Sequence, residues 1–207
     1  NAYYSSDESG VLLDKNQMVL LQAPGGLRGN YQIPEGVTTI NKNAFDGCNK
    51  LITVTIPRTT TEIPEGTFSE TNQLQSIWVD ANNPSFCNDE IGVVLDKDLT
   101  TVLHAPGGLA GSYTVPEGVQ KIGTAAFCGC GSLTAVVIPE GVTELKLNAF
   151  TQCENLTVIT LPVTLKTVDF TVFNGCDNLQ HVYYAGTLDQ WDRIKINRGN
   201  DPLLDAK

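Results

Sequence analysis

The sequence predicts an α/β solenoid: a stack of 23-residue units with a parallel β-ladder, short α or 3₁₀ segments, and lengthened units carrying β-hairpins. Three observations predict it. Val115-Pro116-Glu117-Gly118-Val119 returns as Ile138-Pro139-Glu140-Gly141-Val142 and then as Leu161-Pro162, at steps of 23 residues. Behind that phrase, Phe127, Phe150 and Phe173 keep the same step, as do Cys130, Cys153 and Cys176, and Leu133, Leu156 and Leu179. A longer period of 82 residues carries Gly10-Val-Leu-Leu-Asp-Lys and Ala23-Pro-Gly-Gly-Leu onto Gly92-Val-Val-Leu-Asp-Lys and Ala105-Pro-Gly-Gly-Leu.

The columns also run backwards through Pro34 and Pro57, Phe45 and Phe68, Leu51 and Leu74, and Cys48, with Thr71 standing where the next cysteine is expected. The offset of 82 equals two ordinary units and one unit lengthened from 23 to 36 residues. It places Asn1 on Asn83 and Tyr4 on Phe86, so residue 1 falls inside a repeat. The expectation is one elongated domain over 1–207, truncated at its N-terminus within a unit, whose targeting segment lies outside this sequence.

Each unit opens on a strand. In Leu133-Thr-Ala-Val136-Val-Ile138-Pro139 the apolar first, fourth and sixth positions approximate strand alternation after a turn, so Leu133, Val136 and Ile138 face inward. Proline ends that strand and Gly141 turns the chain into a second short extended stretch, Val142 to Leu145. The following Ala149-Phe150-Thr-Gln-Cys153 brings three apolar side chains within about one helical turn, which predicts a short α or 3₁₀ segment docked by Phe150. Such a segment is too short to persist alone, so stacking between units must supply its burial.

The lengthened units read differently. Val93-Val-Leu-Asp96-Lys-Asp98-Leu-Thr-Thr-Val102-Leu103 is two β-rich runs around a polar turn, hence a hairpin, and Asp14-Lys-Asn16 repeats the turn. After Leu179 the pattern changes, and a helical turn carrying Leu188 and Trp191 is expected to fold over the last unit, making 180–207 a C-terminal capping region.

Composition narrows the function classes. With 13 basic and 23 acidic residues the net charge is −10, and no Lys/Arg cluster interrupts it, which argues against nucleic acid or anionic membrane as a partner. No run approaches 18 apolar residues, so no direct membrane insertion is expected. Six cysteines are an even number, yet four of them share one column, which favours buried thiols stacked beside the phenylalanines over a disulfide framework. Cys128-Gly-Cys130 lacks the paired spacing of a zinc site.

Pro34-Glu-Gly-Val-Thr-Thr-Ile-Asn-Lys-Asn-Ala-Phe45-Asp-Gly-Cys48-Asn-Lys-Leu51 and its counterpart Pro116 to Leu133 resemble the BspA-like leucine-rich repeats of bacterial surface proteins. The resemblance spans essentially the whole chain, including the Ala-Pro-Gly-Gly units and the ending Tyr184-Ala-Gly-Thr-Leu-Asp-Gln-Trp191. It implies a secreted or cell-surface protein of gut or oral bacteria, with adhesion to host matrix proteins or other cells as the role known for some members. It brings no catalytic residues, and Thr71 departs from its thiol column.

The residues themselves offer little chemistry, and no enzyme, cofactor or metal site is expected. The two histidines, His104 and His181, lie three units apart, too far for a shared triad. His104 reads as a surface or edge histidine in the place Gln22 holds in the first copy. Glu35, Glu65, Glu117 and Glu140 each precede a turn glycine and read as polar turns. Asp96 and Asp98, echoed by Asp14 and Asn16, supply too few oxygens for a dedicated calcium loop. Gly25-Gly26 and Gly107-Gly108 lack the Gly-Lys-Ser/Thr of a phosphate loop, and Asn155-Leu-Thr157 is a turn before it is a glycosylation acceptor.

What remains is the strand face projecting outward between core positions: Thr53 and Thr55, Ser76 and Trp78, Ala135 and Val137, Val158 and Thr160, His181 and Tyr183. Small and β-branched residues interrupted by aromatic ones suit a protein strand or a sugar, and equally an ordinary sheet surface. The function expected is a non-enzymatic extracellular interaction or adhesion module engaging a host or bacterial surface protein or glycan. The alternatives are a passive spacer presenting other domains and, least favoured, a glycan-processing enzyme, for which the periodic acids offer no clustered pair.

Overall fold

A computed structural model describes residues 3–69 and 71–206. Asn1, which the 82-residue offset pairs with Asn83, lies outside the described residues. The first lengthened unit is an antiparallel set, β1 (Tyr4–Ser6), β2 (Leu12–Asp14) and β3 (Val19–Gln22). From β4 (Arg28–Gln32) the chain winds, with β5 (Thr39–Ile40) returning beside β3 while β6 (Lys50–Ile56) and β7 (Ser76–Val79) stack parallel on β4. The second lengthened unit repeats the antiparallel set as β8 (Phe86–Asn88), β9 (Val94–Asp96) and β10 (Thr101–His104).

The regular coils follow: β11 (Gly111–Thr114), β12 (Lys121–Ile122), β13 (Leu133–Val137), β14 (Glu144–Leu145), β15 (Val158–Leu161), β16 (Thr167–Val168) and β17 (His181–Tyr184). The chain then forms α1 (Leu188–Trp191), β18 (Lys195–Ile196) and α2 (Asp201–Asp205). Odd-numbered strands β11, β13, β15 and β17 make one parallel ladder, and β10, β12, β14, β16 and β18 make the opposite one. Among the described residues this is a β-solenoid with two short helices near the C-terminal end.

The expected α or 3₁₀ segments at the phenylalanines are absent among the described residues. Consecutive turns stand in their place, with Ala149 N–H bonded to Lys146 O, Thr151 N–H to Asn148 O and Cys153 N–H to Phe150 O. Asn148 (φ 58°) and Gln152 (φ 60°) are left-handed, which breaks any helical run. The N–H groups of Asn148, Phe150 and Gln152 instead donate to Phe170, Val172 and Asn174 of the next unit, at 3.3, 2.9 and 2.8 Å. A backbone donor committed to a neighbouring coil cannot also serve an i→i−4 bond, so stacking displaces the helix.

The side-chain columns form the core. Phe150 lies between Phe127 and Phe173, with ring centroids 4.9 and 5.6 Å away and planes nearly parallel. Cys153 Sγ donates to Phe127 O and Cys176 Sγ to Phe150 O, each at 3.1 Å, so each thiol ties its coil to the one before. Cys48, Cys130, Cys153 and Cys176 are buried free thiols, as the column pattern requires. Thr71 is buried as well, but its hydroxyl donates to Phe68 O of its own unit at 2.6 Å.

His104 corrects the surface reading. It is buried at the junction between the two halves, edge-on to Phe68 with centroids 5.8 Å apart, and burial pushes its imidazole down to about 4 against a backbone hydrogen bond at Ile63. Its counterpart Gln22 is exposed. The difference arises because the second hairpin stacks on the unit carrying Phe68. Asn83 completes this junction: its amide nitrogen donates to Pro57 O and Thr60 O, while its oxygen accepts from Ser85 and Phe86 N–H.

Candidate interaction surface

The outward residues fall into register as the spacing requires. Thr53 pairs with Ser76 and Thr55 with Trp78; Ala135 pairs with Val158 and then His181, and Val137 with Thr160 and then Tyr183. The core-facing residues between them fix this, because Val54, Ile77, Val136 and Ile159 are buried and each strand's neighbours must point the other way.

The structure divides the row in two. Segment Asn88–Gly92 of the second lengthened unit lies against the edge of β7, where Gly92 O accepts from Ile77 N–H at 3.0 Å and Asn88 Oδ1 accepts from Val79 N–H at 2.7 Å. Thr53, Thr55, Ser76 and Trp78 therefore belong to a three-stranded ladder, while Ala135, Val137, Val158, Thr160, His181 and Tyr183 belong to a four-stranded one. Ser76 is not an accessible member of the face: it is 8 % exposed, because Gly92 packs on it. A Cβ added at Gly92 would lie 2.6 Å from Ser76 Cβ, so only glycine permits this approach, and its φ of +95° also favours glycine.

The accessible groups are aromatic and aliphatic. Trp78 is 41 % exposed, Val137 41 % and Tyr183 58 %, and the rings of His181 and Tyr183 stack with centroids 6.3 Å apart. Thr53, Thr55, Ala135, Val158 and Thr160 are half-buried between them. An aromatic ring beside small β-branched side chains presents a flat, apolar platform able to take another apolar or π surface.

The other candidate chemistry is occupied structurally. Asp96 Oδ1 accepts from Thr100 and Thr101 N–H, and its Oδ2 from the Thr100 hydroxyl. Burial raises the Asp96 pKa, but those bonds outweigh it and hold the carboxyl below its usual range. Asp14 binds Met18 and Val19 N–H in the same way, so both carboxylates staple hairpin turns. Asn155 donates its side-chain amide to Gly131 O at 2.6 Å. His104 and His181 are not brought together: one is buried on β10 of the return ladder, the other exposed on β17 of the outward ladder. Among the described residues no group of three or more His, Cys, Asp or Glu could hold a metal, and no helix is long and apolar enough to cross a membrane.

Sequence reasoning missed an apolar cleft of about 380 Å³ beside β17. It is lined by Val182, Tyr184, Leu188, Trp191, Leu203 and Leu204 among others, with Trp191 edge-on to Tyr184 at 5.3 Å. Thr187 caps α1 through a capping box with Gln190, a pairing legible as Thr-x-x-Gln, but which face of so short a helix stays open is not written in the spacing.

Comparison with known proteins places this geometry. No curated protein matches the chain. Among solved structures it is similar to a leucine-rich repeat protein from Eubacterium ventriosum ATCC 27560, with TM-score 0.68 and 23 % identity over 75 % of this chain and 42 % of the other. It is also similar to the pneumococcal vaccine antigen PcpA, with TM-score 0.62 and 19 % identity over 79 % of this chain and 52 % of that one. The chain thus spans about half the length of these structures, and the likeness is one of fold. The family model for the BspA type leucine rich repeat region matches residues 29–89 and 110–193 in 6 copies, and the chain belongs to that family.

Proposed function

We propose that this chain is a non-enzymatic interaction module of a bacterial surface protein, binding a protein or glycan outside the cell through its outward strand face. The observation that carries the reading is the exposure of Trp78 on one ladder and Tyr183 on the other, each beside half-buried small or β-branched neighbours. Leaving large rings in water forgoes their burial, and aromatic side chains supply much of the binding energy where they are buried against a partner. The likeness to PcpA, which is described as a vaccine antigen, supports an exposed setting. The net charge of −10 supports partners other than nucleic acid.

The two ladders make the module bipartite. Trp78 serves one platform and Tyr183 the other, so a partner spanning both gains through linkage of two weak contacts. The alternative reading, a passive spacer presenting other domains, is favoured by the internal duplication at an offset of 82 residues, since repetition extends a rod.

The deciding experiment is binding of the chain to a panel of host matrix proteins and polysaccharides beside its Trp78→Ala and Tyr183→Ala variants. Saturable binding that weakens at least about fivefold in either variant supports the module. Absence of binding across the panel sinks it and leaves the spacer.

A further inference from the structure

Strand β17 ends its ladder with one paired edge and one open edge, since β15 is its only partner among the described residues. The direction of the open edge follows from the other coils. Ile33, Val115 and Ile138 send their N–H groups forward to Thr55, Val137 and Thr160 of the next unit, each at 3.0 Å. Tyr184 occupies that same column, and Val182 occupies the column of Ile77. His181 N–H points back to Thr157 O at 3.1 Å, so by strand alternation the Val182 and Tyr184 N–H groups point away from β15 to the open edge.

The chain itself shows what covers such an edge. At β7 the equivalent donors, Ile77 and Val79, are taken by Gly92 O and Asn88 Oδ1, while Phe86 just upstream is buried in the core that contains Ile77. The covering piece is strand β8 followed by a turn held by Asp89: an aromatic anchor, a side-chain amide oxygen two residues later and, across the turn, a glycine carbonyl four residues beyond that. Beside β17 lies the corresponding vacancy for an anchor, the cleft walled by Tyr184, Leu188, Trp191 and Leu204. Leu188 is 81 % exposed and Leu204 55 %.

We propose that the open edge of β17 binds a turn-forming peptide of a partner protein with the Phe-x-Asn-x-x-x-Gly chemistry of Phe86, Asn88 and Gly92. Its backbone carbonyl and amide oxygen accept from Val182 and Tyr184 N–H, and its aromatic ring enters the cleft. The two edge hydrogen bonds orient the peptide and the cleft supplies selectivity, a form of recognition at an exposed sheet edge. This surface is separate from the outward face, so its failure leaves the preceding reading untouched.

The test titrates the ¹⁵N-labelled 207-residue chain with a synthetic peptide of residues 83–93 in which Cys87 is replaced by serine. Saturable shifts of the Val182 and Tyr184 amide resonances, with slowed hydrogen exchange at both, are expected. Leu188→Asp should weaken binding about tenfold, the effect of losing one apolar anchor, while Leu99→Asn at the distant hairpin tip leaves it unchanged. Three results overturn the proposal: no saturable shift at Val182 and Tyr184, shifts at Ile77 and Val79 instead, or binding indifferent to Leu188→Asp.

Discussion

The hydroxyl of Tyr113 donates to Oδ2 of Asp89 at 2.7 Å, across 24 residues of sequence, and Tyr31 meets Asp7 at the same distance across the same separation. The carboxylate does two jobs, since Asp89 Oδ1 also gathers the N–H groups of Ile91, Gly92 and Val93. The bond therefore ties the first strand of the regular coils, β11, to the segment that divides the outward face. Burial first, and then the Asp89 carboxylate, raise the Tyr113 pKa well above its ordinary value.

Tyr113→Phe keeps the ring and removes only this bond. It should lower stability by about 1 to 2 kcal/mol in urea unfolding, while Asp89 keeps its backbone partners. Loss of less than a few tenths would show that the hydroxyl is equally well solvated without Asp89.

His104 makes stability depend on acid. Its folded value near 4 lies below the ordinary 6.5, so the unfolded chain binds more protons between those pH values and stability falls as pH is lowered through that window. The full effect is about 3 kcal/mol, present above pH 6.5 and lost as pH approaches 4. His104→Gln installs the residue of the first hairpin. Urea unfolding at several pH values should show a shallower loss in the variant between pH 6.5 and 4, and parallel curves would refute the assignment.

Phe150→Ala opens a cavity in the middle of the ring column. It should cost about 3 to 5 kcal/mol, read from the urea midpoint. A smaller cost, near that of a surface substitution, would mean that neighbouring coils collapse into the space.

The thiol column should resist modification. Burial raises the Cys48 and Cys130 pKa values, and Cys153 is raised by its hydrogen bond with Cys176 and then by burial, so thiolate is scarce where reagent cannot enter. Titration of the native chain should leave Cys48, Cys130, Cys153 and Cys176 unreacted, with all six thiols appearing on denaturation. Rapid native labelling of Cys153 or Cys176 would contradict the packing.

The sequence by itself determined the columns. A coil in a solenoid contacts mainly its neighbours, so each inward position must suit the same position one unit away, and that demand is written as a step of 23 residues at Phe127, Phe150 and Phe173. The facing of Val137 and Tyr183 followed from the same alternation. Tertiary structure alone decided the rest, because each remaining feature depends on what one coil does to another. Phe150 N–H went to Val172 O, which turned an expected helix into turns. The hairpin settled on Phe68, which buried His104, and Gly92 approached Ser76, which covered an outward serine and divided the face. Local pattern states which side of a strand is apolar; contact between distant coils states which polar side remains in water.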